Sequence, residues 1–582
     1  MKRIENLISN NWYPQTLGLF SFPFWCLLTA VFGFIVGIPV TKYHAIVAFA
    51  LSLATMAWAV QWNRKKVLGH SCLFSFIIVC SGTAASFFME QVWDGLTYHK
   101  PATIEMKNGW NPVWCFNPSR LHSGKPVNDP WNDQWIRHYS KADWIINAVF
   151  YAFSGNLDLG HLTRVLYLLV AMVITFISLK TLFNLSNLNC FLFSLITTLE
   201  PNVLSQMFCG YLDGALGNCL SILFFSWAAY LKNSDKRFLP FVIVSIVIAT
   251  NLKFTGVVYA AVFLIVSTAS YYIADWWNKG RVDHFLTRPL VTATILALIV
   301  GINPYLHNLA RHHHPFFPLM VTKKKDRRQD DFMRDRALYN NMKGANRFQQ
   351  FAFSYLVLKN EMSAWSPNPE PSMYKVPRTF TLTPTRLFKN LSHSDIGLGD
   401  LFIIPMWFSL FALPFIRGKY IWIFIIAVWA SILVQPYIWF PRYIPHLWLI
   451  PIITFCSFLS QTRPIPQLKR RTEIAVYVML LCLFVTTFAT SWQQPESVIK
   501  HFIPKVCDMA KMNYFYEKDP HSLSFDLSGI YPQVGTYTHT AALIPDCFPG
   551  SMNHFLTPDD PSPRFLIGNL GTCPVYLNTP NS

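Results

Sequence analysis

Long apolar runs limit what this chain can fold into more than any other feature of its sequence. A bilayer core roughly 30 Å thick takes about 20 apolar residues per helix, and about thirteen runs of that order occur between Leu17 and Trp492. They lie near 17–38, 43–62, 70–91, 163–184, 189–208, 210–231, 238–252, 255–275, 289–306, 400–416, 420–439, 443–460 and 473–492. With 52% hydrophobic and 13% charged residues, the chain has more apolar content than a soluble core uses. The runs predict an all-α polytopic membrane protein.

The basic residues predict how these helices are oriented. The net charge is +18, but Lys and Arg are dispersed between apolar runs, which is typical of orientation signals and argues against nucleic-acid binding. Arg64, Lys65 and Lys66 place the second link and the N-terminus in the cytoplasm. The first run lacks a cleavage site and is predicted to be a retained helix. We expect an integral protein of a bacterial inner membrane, with its C-terminus extracytoplasmic.

Four parts follow from this orientation. Residues 1–69 form an N-terminal hairpin, 70–460 a transmembrane module, 461–492 the last helix with a basic cytoplasmic link, and 493–582 a small extracytoplasmic α+β cap. The module has large outer segments at 92–161 and 307–399. Within the first, 141–153 has apolar residues at helical spacing and is predicted to lie flat in the membrane interface, the alternative being an ordinary packed helix. Cys115, Cys507, Cys547 and Cys573 fall outside, where disulfides are allowed but their pairing is open.

The stretch Trp93–Pro112, WDGLTYHKPATIEMKNGWNP, is predicted to hold the chemistry, because it begins where an outgoing helix ends. Asp94 could accept a proton from a hydroxyl that attacks a sugar carbon bearing a lipid phosphate. Tyr98, His99 and Glu105 are candidate substrate-binding residues beside it. The alternative for Asp94 is a helix-end residue whose hydrogen bonds order the loop.

A departing phosphate needs cations, and several lie at outer helix boundaries. Arg442 in WFPRYIPHLW is the strongest candidate, since Arg beside an apolar run is costly without a role, although it could also snorkel to lipid headgroups. Lys253 in NLKFTG is either a phosphate ligand or an interfacial anchor. His313 and His314 are phosphate or metal ligands, or part of a solvated turn.

Two acids in or beside apolar runs complete the candidate list. Asp213, in GYLDGALG, either binds substrate, supports the catalytic carboxylate or caps the helix that follows. Glu200, in TTLEPN, is expected to pair with a polar group because an unpaired charge in an apolar run is costly.

The order of these features resembles the GT-C superfamily of polytopic glycosyltransferases. The resemblance covers about 70 to 450 and rests on Asp94 after an outward helix, the Tyr98-His99 pair and the large first loop. GYLDG at 210–214, LKFTG at 252–256 and HPFFPL at 314–319 are also similar to segments of bacterial GT-C-like proteins. It implies polyprenyl-phosphate sugar donors and Asp94 as the acidic residue of the first outer loop.

This chain departs from the family pattern in two ways. Three helices, rather than one, precede the first large loop, and Glu105 is the only second acid near Asp94. One carboxylate with histidines is a poor site for Mg²⁺ or Mn²⁺ without substrate phosphate, so dependence on a divalent cation stays open.

We expect an inverting glycosyltransferase that moves a sugar from a polyprenyl-phosphate donor to a lipid, glycan or protein acceptor on the outer face. Membrane lipid is its other expected partner. The alternatives are a flippase or transporter, and a polymerase or ligase of lipid-linked glycans. A transporter should carry ionisable residues in mid-helix, and these runs are nearly free of them.

Overall fold

The computed structural model describes residues 2–86, 88, 94–115, 130–279, 287–320, 344–356, 398, 400–462, 466–491, 523–525, 564–570 and 573–578. The first helices are α1 (Lys2–Ile35), α2 (Lys42–Ala59), α3 (Arg64–Ser86), α4 (Lys100–Lys107), α5 (Pro130–His138), α6 (Ala142–Ser154), α7 (Leu162–Phe183), α8 (Asn187–Thr198), α9 (Pro201–Ser205) and α10 (Asp213–Asn233). They are followed by α11 (Leu239–Leu252), α12 (Phe254–Lys279), α13 (Thr287–Val300), α14 (His307–His312), α15 (Arg347–Tyr355), α16 (Ile403–Ala412), α17 (Lys419–Leu433), α18 (Leu449–Thr462) and α19 (Pro466–Ser491).

Several of these helices suit a membrane. Within the described residues, five are long and apolar enough to cross one, and a sixth span is possible if Arg288–Val300 and Ile302–His312, bent by 73°, form one unit. The five are Trp12–Ile35, Arg64–Ser86, Leu157–Phe183, Asp213–Asn233 and Phe254–Trp277. A helix lies within every apolar run, so the predicted helical polytopic architecture is confirmed. The count of about thirteen spans stays a prediction, because several of these helices are short.

Helix α10 is the centre of the bundle. Its residues from Asp213 to Leu231 are all buried, and it packs against α7, α11, α12 and α17. Asp213 in its first turn and Lys232 in its last complement the helix dipole. Ser234 ends it in the left-handed conformation, with φ 55°. A helix enclosed on all sides gives the residue at its N-terminal end a fixed position.

Two predictions about individual segments are wrong. The run at 189–208 is not one span, since α8 ends at Thr198 and Pro201 starts the short helix α9. The segment 141–153 is not an interfacial helix, which would leave one face open to lipid. Most of α6 is buried, including Trp144 and Phe150, and it packs against α1, α2 and α4. The alternative of a packed helix holds.

The C-terminal segment contains a small sheet. Its strands are β1 (Leu523–Phe525), β2 (Arg564–Leu570) and β3 (Cys573–Asn578), and β3 pairs antiparallel with both others. The rest of 493–582 lies outside the described residues, so the predicted cap is not tested as a unit. Cys507 and Cys547 also lie outside them, and the disulfide pairing stays open.

Candidate active site

Four residues from separate parts of the chain meet at one end of the bundle. Asp94 precedes a π-helical turn at Gly95–His99, and Asp213 is the first residue of α10. Lys253 lies between α11 and α12, and Arg442 lies in the 3₁₀ turn Pro441–Tyr443 before α18. Ion pairs join the four side chains, and the sequence predicts that all four boundaries are extracytoplasmic.

Lys253 is placed by a tight break between two helices. It is the single residue between α11 and α12, and its backbone is extended, with φ −153° and ψ 146°. The two helices approach so closely that a Cβ on Gly256 would lie 2.0 Å from the carbonyl oxygen of Ala249. The glycine of the LKFTG motif is therefore required for the turn that presents the lysine.

Asp213 is the buried anion that holds both cations. Its side chain is 2% exposed, and it accepts hydrogen bonds from the Lys253 ammonium and from Arg442 Nε, the latter at 3.1 Å. Leu212, not Asp213, is the N-cap residue of α10. The helix-cap interpretation of Asp213 is therefore wrong, and its carboxylate serves as counterion to Lys253 and Arg442.

Arg442 is fixed on three sides. Its guanidinium stacks on the Tyr211 ring at 3.8 Å, its Nε donates to Asp213, and its Nη2 lies 3.8 Å from Asp94 Oδ2. The side chains of Arg442 and Asp94 are 24% and 29% exposed, so both face accessible space. Lys253 lies over the Tyr443 ring, 5.0 Å from its centroid. These contacts give Arg442 a more specific place than snorkelling to headgroups requires.

Tyr98 and His99 adjoin the cluster through Asp94. Burial raises the pKa of Tyr98 well above 10.0, and its hydrogen bond to Asp94 adds to that rise in pKa. The Trp144 indole N–H donates to His99 Nδ1 at 2.6 Å. Burial lowers the pKa of His99 well below 6.5, and three nearby cations lower it further. His99 is therefore neutral, and because Nδ1 accepts, its proton lies on Nε2.

Three predicted site residues are not brought into the cluster. Glu105 is buried in α4, and among the described contacts none joins it to Asp94. His313 is exposed in a left-handed conformation that ends α14, and His314 Nδ1 accepts from the Phe316 backbone N–H. These positions give no support to a substrate role for Glu105 or a phosphate role for the histidines.

Sequence reasoning missed the aromatic residues of the site. Tyr211 and Tyr443 stand two positions before Asp213 and directly after Arg442, inside motifs already singled out. A cation at an apolar boundary is commonly stacked on a ring, which was the signal that could have identified them. Trp144 had no such signal, because only the packing of α6 brings it to His99.

The described residues do not fit a divalent cation. No group of three or more His, Cys, Asp or Glu side chains is placed to hold a metal within the part of the chain that the structure describes. Arg442 contacts both Asp94 and Asp213, so a guanidinium occupies the position that a shared cation would need. A dependence on Mg²⁺ or Mn²⁺ stays untested.

Comparison with known proteins leaves the family open. No family model and no curated protein matches the chain. Among solved structures it is similar to the crystal structure of ArnT from Cupriavidus metallidurans bound to undecaprenyl phosphate. The TM-score is 0.37 and the identity 11%, over 74% of this chain and 79% of that chain. A likeness at this level carries no argument about what this chain does.

Proposed function

We propose that this protein is an inverting glycosyltransferase that moves a sugar from a polyprenyl-phosphate donor to an acceptor hydroxyl on the extracytoplasmic face. The observation that carries the proposal is the meeting of Asp94 with the Arg442–Asp213–Lys253 cluster at one end of the bundle. A carboxylate and a guanidinium 3.8 Å apart, both accessible, are suited to remove a proton and to receive a phosphate.

Asp94 is the better base of the two carboxylates. Asp213 is buried, and its oxygens already accept from two cations. Asp94 is more exposed, and its contact with Arg442 is longer than that of Asp213. In the reaction, the acceptor hydroxyl passes its proton to Asp94 while its oxygen forms a bond to the anomeric carbon. The bond from that carbon to the phosphate oxygen breaks, its electron pair leaves with the phosphate, and the configuration inverts.

Arg442 is the residue for the departing phosphate. Its Nε is engaged by Asp213 and its face by Tyr211, which leaves the Nη edge directed toward Asp94. A guanidinium held in this way stabilises developing charge without having to reorganise. Lys253, bound to the same carboxylate, adds positive potential behind it.

The proposal is tested by changing Asp94→Asn in the full chain in lipid nanodiscs. Transfer is measured from a panel of polyprenyl-phosphate hexoses and pentoses to lipid and glycan extracts, and farnesyl phosphate serves as a binding probe. Turnover should fall about 10²- to 10⁴-fold, as expected for loss of a general base. Binding of the probe should be kept or strengthened, because a negative charge near Arg442 has been removed.

Asp235→Asn is the matched control, since Asp235 forms an ion pair with Arg237 on the link between α10 and α11, at the other end of the bundle. It should leave transfer unchanged. Full transfer by Asp94→Asn would remove Asp94 as the base. Movement of a lipid-linked sugar across vesicles without any transfer would replace the enzyme with a transporter.

A further inference from the structure

The segment that carries Arg442 is held by side chains from three other parts of the chain. The carbonyl oxygens of residues 439, 441 and 443 each accept a side-chain hydrogen bond. Ser354 Oγ donates to Trp439 at 2.5 Å, Asn202 Nδ2 donates to Pro441 at 3.4 Å, and the Tyr259 hydroxyl donates to Tyr443. Alternate carbonyls on both sides of Arg442 are thus tied to α15, α9 and α12.

Tyr259 is the most constrained of these donors. Its hydroxyl also accepts from Gln435 Nε2 at 2.7 Å, and its ring packs against His446, 4.6 Å between centroids. Tyr259 is 1% exposed and Gln435 6%. A buried hydroxyl that donates and accepts in this way has its orientation fixed.

The segment 307–399 contacts the same part of the chain through α15. Arg347, at the start of this helix, donates to the backbone carbonyls of Leu433, the last residue of α17, and of Gln435, two residues further on. Ser354, near its other end, makes the bond to Trp439. Asn346 caps α15 with a reciprocal bond to Gln349. Helix α15 therefore clamps both ends of the segment from 433 to 439.

We propose that Tyr259, supported by Gln435 and by the α15 clamp, is a positioning residue that fixes the Pro441–Tyr443 turn and thereby aims the Arg442 guanidinium. The orientation of this guanidinium decides whether Nε reaches Asp213 while the Nη edge faces Asp94. The consequence for phosphate binding rests on the proposed function, whereas the immobilisation of the turn does not.

The first test is a double-mutant cycle with farnesyl phosphate as the probe and the full chain in nanodiscs. Tyr259→Phe should weaken binding about 5- to 30-fold, the range for loss of a buried hydrogen bond. In an Arg442→Gln background the same change should cost less than about twofold, because a residue that acts through Arg442 has nothing left to position. Equal losses in both backgrounds would overturn the proposal, and so would unchanged binding by Tyr259→Phe.

Tyr477→Phe is the control, because it also removes a tyrosine hydroxyl that makes a hydrogen bond. That hydroxyl donates to Asn189 at 2.9 Å, between α19 and the start of α8.

The second test is amide hydrogen exchange without any ligand. The amides of Tyr443 and Ile444 donate within the turn, at 3.0 and 3.2 Å, and that of Leu447 donates to Ile444 just after it, at 2.9 Å. Their amides should exchange faster in Tyr259→Phe than in wild type or the control.

The two tests separate the two ideas. Wild-type protein that fails to bind farnesyl phosphate would refute the proposed function, and faster exchange in Tyr259→Phe would still support positioning of the turn. Unchanged exchange would refute the positioning role whatever the probe does.

Discussion

Replacing Arg442 with Lys isolates what the guanidinium contributes beyond its charge. Lysine keeps the positive charge but has no Nε and no planar face. The change removes the 3.1 Å bond to Asp213, about 1.5–3 kcal/mol for a hydrogen bond to a charged group. It also weakens the stack on Tyr211, worth about 0.5–1 kcal/mol. The sum, about 2–4 kcal/mol, corresponds to roughly a 30- to 1,000-fold loss in kcat/KM if the geometry serves the transition state.

The assay is sugar transfer in nanodiscs, with kcat and KM measured separately and folding checked by thermal unfolding. Arg237→Lys is the control, since Arg237 makes a comparable but exposed contact with Asp235 at 2.7 Å. It should change transfer by less than twofold. Retention of more than a third of wild-type kcat/KM by Arg442→Lys would refute the view that guanidinium geometry, rather than charge alone, receives the phosphate.

Three further changes probe the supports of the site. Asp213→Asn leaves two cations without their counterion, so thermal unfolding should show a loss of about 3–5 kcal/mol, and unchanged stability would contradict this. His99 stays neutral in the folded protein, so below pH about 6.5 only the unfolded chain takes up its proton, and the folded state loses stability as the pH falls. Replacing His99 with Gln should therefore reduce the slope of unfolding free energy against pH, by up to about 1.4 kcal/mol per pH unit. Gly256→Ala drives a Cβ against Ala249 and should impair folding and transfer, whereas Gly69→Ala, which meets nothing within 4 Å, should affect neither.

The helices and the meeting of four candidate residues could be predicted from the sequence for one physical reason. A membrane helix needs a continuous apolar run, and basic links fix its direction, so each polar residue at a boundary can be assigned to a side. That reasoning placed Asp94, Asp213, Lys253 and Arg442 at one end, where the structure has them in mutual contact. Their roles in a reaction stay predictions.

Other features depend on packing that no periodicity records. The pattern of 141–153 is the same whether its apolar face meets lipid or protein, and only the fold shows α6 covered by α1, α2 and α4. The run at 189–208 is largely apolar on both sides of Glu200 and Pro201, so its average hydropathy did not reveal the break at these two residues. Glu200 does pair as predicted, accepting from Val203 N at 2.9 Å and from Asn202 at 2.6 Å.

Acidic and basic groups balance within the cluster. Lys253 and Arg442 are two basic side chains, and Asp213 and Asp94 are the two carboxylates that they contact. Asp213 is buried and bonded to both cations, which keeps them in place at little cost, whereas the contact of Asp94 is longer and more exposed. In the proposed reaction, a donor phosphate would therefore compete with Asp94 for Arg442, and not with Asp213. Displacing Asp94 from Arg442 would free its carboxylate to meet the acceptor hydroxyl.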